Sequence, residues 1–139
     1  NGSTARVFLN GVLKVEGTSM PSMASTSGDG FFIGQYTTGI QRLDGELDEF
    51  AIWNATLSDG GVSVGQTATQ DVEKIYNSSN GAVPTDLSQA ASYDTDRTSN
   101  LTHWWRMEEG SGTSVVNTAN SGTNDGTISG ATFSTNIPS

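Results

Sequence analysis

Leu43-Asp44-Gly45-Glu46-Leu47-Asp48-Glu49-Phe50-Ala51-Ile52-Trp53 is the longest stretch of strand character in the chain. Apolar and polar residues alternate along it, as they do in a pleated strand with one buried face. The parity changes partway. Leu43 and Leu47 fall on odd positions, Phe50 and Ile52 on even ones. One continuous strand cannot bury both sets on the same side, so a bulge or break is expected near Asp48-Glu49.

Upstream, residues 5–16 place two β-rich runs around Asn10-Gly11. That pair is the preferred centre of a two-residue hairpin, because a type I′ turn needs positive φ twice. Small polar residues from Gly17 to Gly30 read as a loop, and Phe31-Phe32-Ile33-Gly34 as a short buried strand. Downstream, residues 69–77 carry Val72, Ile75 and Tyr76 at helical spacing. Thr69 is placed to cap that helix and Asn77 to end it. Residues 81–100 contain Pro84 and many Ser, Thr and Asp, which reads as a linker with a helical turn at 86–91. Strands are expected again at 102–108, 114–117, 126–129 and 131–134.

Short strands with many turns agree with the composition. The 139 residues suffice for one domain with a core, only 33% are hydrophobic, and 17 are glycine. Six Lys and Arg face fifteen Asp and Glu, for a net charge of −9. Such a surface repels phosphate backbones and anionic lipid, so nucleic acid is not an expected partner. No apolar run approaches the roughly 20 residues of a membrane-spanning helix, so membrane insertion is not expected. With no cysteine, disulfides, thiolate chemistry and Cys-based zinc sites are excluded.

Two blocks resemble the laminin-G-like, concanavalin A-type jelly roll. Phe8-Leu9-Asn10-Gly11-Val12-Leu13, Phe32-Ile33-Gly34, the run 43–58 and Ile75-Tyr76-Asn77-Ser78 are similar to the C-terminal half of such domains. Asp59–Ala68 looks like an insertion before the helix. Trp104-Trp105-Arg106-Met107-Glu108 and the run 124–132 are similar to the way these domains begin. An end therefore precedes a beginning, an order that resembles structural proteins of marine bacteriophages. The resemblance implies an all-β, antiparallel jelly-roll β-sandwich with one short helix. Residues 1–80 would be the C-terminal half, 81–100 a linker, and 101–139 strands completing the same sandwich or starting a second. The chain would be cut from a longer protein (the preferred reading), circularly permuted, or completed by a neighbouring subunit.

The resemblance also frames the candidate sites. Laminarinase-type hydrolases of this fold carry Glu-x-Asp-x-Glu on one strand face, and retaining hydrolysis needs two carboxylates there roughly 5 Å apart. Here Glu46 and Asp48 are followed by Phe50, and Glu49 falls on the opposite face, so no enzyme activity is expected. Calcium is a cofactor that laminin-G-like modules often bind at the sandwich rim. Asp29, Asp44 and Asp125, each before a glycine, are the candidate ligands, although Asp-Gly is also ordinary turn chemistry. Tyr36, Trp104 and Trp105 are candidates for stacking on a sugar ring. As strand neighbours, Trp104 and Trp105 should face opposite ways, one core and one exposed; Trp53 reads as packing. His103 stands outside any triad, and Asn1, Asn54, Asn77 and Asn100 match the N-glycosylation pattern. The expected function is a non-catalytic extracellular or virion-surface module that contacts surface glycans or neighbouring structural subunits. Its ligand contacts would lie on loops 17–30, 36–42 and 59–68. The alternative is a carbohydrate-active enzyme domain or its accessory binding module.

Overall fold

A computed structural model of the chain describes residues 4–18, 31–35, 41–77, 80 and 84–135. Strands β1 (Thr4–Leu9) and β2 (Val12–Thr18) form the expected antiparallel hairpin. Asn10 and Gly11 sit at φ 49° and 72°, as a type I′ turn requires. The register slips between Val7 and Phe8 and leaves Lys14 as the extra residue of a bulge. Leu13, 0% exposed, anchors one face of the hairpin. Its amide donates to the Gln66 carbonyl, and its own carbonyl accepts from Gly65.

The predicted break is present: Glu49 adopts φ 52°, and strand β3 begins one residue later at Phe50 and ends at Trp53. Residues 43–49 are not strand, contrary to expectation, and Leu43 and Leu47 lie on the surface. Positive φ at Glu49 ends the alternation, so the odd-numbered leucines do not share the buried face of β3. Phe31–Gly34 is likewise neither strand nor core, with Phe31 and Phe32 exposed.

Helix α1 spans Gln70–Tyr76 and ends at Asn77 in the left-handed conformation. Thr69 occupies the N-cap position without capping: its hydroxyl donates to the Asp59 carbonyl instead. Residues 84–100 do not behave as the expected linker. Leu87 and Tyr93 are buried, Tyr93 donates from its hydroxyl to the Leu87 carbonyl, and Trp53 donates to that same hydroxyl. The helical turn expected at 86–91 is displaced to a single 3-10 turn, Ala90–Ser92.

Strand β4 (Leu101–Trp105) pairs antiparallel with β3, matching Phe50 to Trp105 and Ala51 to Trp104. The two blocks that resemble the end and the beginning of a sandwich are therefore hydrogen-bonded neighbours. A third ladder joins β5 (Ser114–Val115) to β6 (Gly126–Thr127), and residues 131–134 form no strand. Among the described residues the sheets are three separate two-stranded ladders, not the two broad stacked layers of a jelly roll. The secondary structure is mostly strand with one short α-helix.

Two buried polar side chains tie these pieces together. Asn117, 0% exposed, accepts from the Trp104 amide through Oδ1 and donates through Nδ2 to the Thr123 carbonyl, both at 2.9 Å. Asp71, also 0% exposed, accepts from the amides of Ser58 at 2.9 Å and Asp94 at 2.8 Å. It faces Arg97 Nε at 3.5 Å. Burial alone would raise the Asp71 pKa. The hydrogen bonds from Ser58, Asp94 and Thr95 outweigh it and hold the carboxyl below its ordinary value.

Candidate functional site: a groove along the open edge of β3

A groove of about 490 Å³ lies beside β3. Phe50, Ala51 and Trp53 line one wall, Ile75 and Tyr76 of α1 and Leu87 another, and Asp48 and Glu49 stand at one end. Successive side chains of a strand point to opposite faces. A cavity touched by both Phe50 and Ala51 therefore runs along the strand's edge, and β4 already occupies the other edge. Tyr76 is held there by the hairpin turn, where a Cβ built on Gly11 would come within 2.7 Å of its ring.

Glu49 is the most constrained group at the groove. Its positive φ turns the carboxylate toward β4, where it accepts from Trp104 Nε1 at 2.6 Å and Arg106 Nε at 3.2 Å. The Arg106 guanidinium lies 5.0 Å from the Trp104 ring centroid, a cation–π arrangement, and also pairs with Glu108. Burial raises the Glu49 pKa, and the bonds from Trp104 and Arg106 only partly offset it. Asp48 is exposed, and its carboxylate accepts from the Glu49 amide. Glu46 lies off the strand on the surface, bonded by Ser134 Oγ at 2.6 Å. The run that resembles a hydrolase strand thus has its carboxylates on different supports.

The aromatic candidates fall out differently from expectation. Trp104 and Trp105 do face opposite ways, but both are buried, at 3% and 6% exposure. Glu49, Arg106 and Asn117 cover the Trp104 side. On the other side, Trp105 meets Phe31, Phe50 and His103 at ring-centroid distances of 6.3, 6.1 and 5.2 Å. Neither indole presents an open face to a sugar. The aromatics at the groove are Phe50, Trp53 and Tyr76, none of them among the expected sugar-stacking residues. Tyr36 lies outside the described residues.

Of the calcium candidates, Asp29 also lies outside the described residues, and Asp44 is exposed. Asp125 accepts from the Asn117 amide at 2.8 Å and so serves to hold its own loop. No group of three potential metal ligands occurs among the described residues, so Asp44 and Asp125 are not brought together there with further ligands. His103 is placed between the Asn124 side chain and the Thr102 hydroxyl.

Sequence comparison agrees with the strand-rich reading over the first part of the chain. Residues 1–63 match a laminin-G-type family model described as the concanavalin A-like lectin/glucanases superfamily. That match takes in the hairpin, β3 and the acidic end of the groove. No curated protein and no solved structure matches the chain.

Proposed function

We propose that the chain is a non-catalytic structural module, displayed extracellularly or on a virion surface, that attaches to or decorates a larger assembly. The observation that carries this reading is an apolar contact face on the hairpin. Val7, Leu9 and Val15 share one side of it and are each more than half exposed. Contiguous exposed apolar surface of this kind marks a contact with another macromolecule more often than a reaction centre. Weak glycan recognition falls to the loops, of which residues 17–18, 41–42 and 59–68 are described.

The competing reading, a carbohydrate-active enzyme domain, draws on one feature. A carboxyl with a raised pKa beside an open groove is the chemistry of a general acid. Against it, Glu49 is engaged by Trp104 and Arg106, and Phe50 stands where a third carboxylate would be needed. Incubation with β-1,3- and mixed-linkage glucans tests the choice. No reducing ends should be released. Hydrolysis that disappears in Glu46→Gln or Glu49→Gln would replace this proposal with the enzymatic one.

A further inference from the structure

The three ladders leave a specific account of sheet edges. The outer edge of β2 is closed by residues 65–67, through the Leu13 bonds and a bridge from Val12 to Thr67. The outer edge of β4 is closed by the Asn117 side chain and by the Thr118 amide, which donates to the Trp104 carbonyl. Of the edges in the two larger ladders, two have no such cover among the described residues: the outer edge of β1 and the groove-side edge of β3. An uncovered edge offers a row of unpaired amides and carbonyls to another strand. Proteins usually blunt such edges with proline or a projecting charge. Strand β1 has no proline, and its one charge, Arg6, is turned back onto Glu16 and Asp59.

These two edges are complementary. Beside β1 lies the bare row Val7, Leu9 and Val15; along β3 lies an apolar groove. The hairpin carries Arg6 and Lys14 against Glu16, a net +1 in a chain of −9. Among the described residues Lys14 has no ion-pair partner. The groove ends in Asp48 and Glu49, and no basic side chain lines it among the described residues. From this complementarity we infer that the occupant of the groove is the β1 edge of a second copy of the chain. The strand adds to β3 with its apolar row in the groove and Lys14 toward Asp48. This deepens the reading of the chain as an assembly module by naming its partner. The contact is heterologous, since different surfaces meet, so it propagates into a ring or filament instead of stopping at a two-fold dimer.

Light scattering and sedimentation of the 139-residue chain over a range of concentrations test this. Mass should rise with concentration beyond a dimer. Leu9→Asp on the donor edge and Asp48→Lys on the groove should each weaken self-association by about tenfold or more. Both sites are exposed, so both variants should keep the far-ultraviolet spectrum of the parent. Mixing the two variants restores one good donor and one good groove, and a 1:1 heterodimer should form. A monomer at every concentration, association indifferent to both substitutions, or a mixture that forms no heterodimer overturns the inference. A chain that is monomeric but glycan-binding and without hydrolase activity would sink this contact alone and leave the non-catalytic reading standing.

Discussion

Asp71→Asn is the sharpest probe of how the chain is held together. The buried carboxylate accepts from two amides in separate segments, Ser58 and Asp94, and stands 3.5 Å from Arg97 Nε. An asparagine keeps one acceptor oxygen and puts an NH₂ where the other was, so one amide loses its partner and faces a donor. Leaving one buried donor unpaired costs about 1–3 kcal/mol. Arg97 loses its counter-charge as well, a loss moderated by its partial exposure. Together the change should destabilise the fold by about 2–4 kcal/mol. With a urea slope near 2 kcal/mol/M, the midpoint followed by tryptophan fluorescence should fall by about 1–2 M at neutral pH.

The pH dependence sharpens the test. The folded pKa of Asp71 is depressed below 3.8, so its stabilising contribution is present above that value and lost as pH falls through the lower folded pKa. The gap between parent and variant should therefore narrow only in acid below 3.8. A neutral-pH midpoint within about 0.2 M of the parent, or a gap that does not change down to about pH 2, would refute the role assigned to this carboxylate.

Two other substitutions bear on the same architecture. Asn117→Ala removes the acceptor of the Trp104 amide and the donor to Thr123, and thermal melts should show a loss of about 1–3 kcal/mol; an unchanged melt would mean that water replaces both bonds. Gly11→Ala brings a Cβ to 2.7 Å from the Tyr76 ring at φ 72°, and should cost at least about 1 kcal/mol in urea unfolding. A neutral result there would show that the turn does not press on α1.

Local chemistry was legible in the residues themselves. Asn10-Gly11 specifies its turn because positive φ is a property of the turn, whatever packs on it. The parity switch located the break at Glu49, and the spacing of Val72, Ile75 and Tyr76 located α1 to within a residue. Of the candidate site, the sequence supplied the acidic run 46–49 and the strand beside it, but not the groove. Trp53 and Tyr76 line that groove only because residues 84–87 and α1 converge on β3.

What the sequence determined by itself is thus the set of segments whose conformation follows from a few adjacent residues. The tertiary structure alone decided that Trp104 and Trp105 are both covered, that Phe31 and Leu43 are not, and that Asp71 and Asn117 are buried hubs. It also joined β3 to β4 across the intervening helix and turns. Alternation says that a strand has two faces. Which of them is covered depends on partners distant in the chain, and no local period encodes those partners.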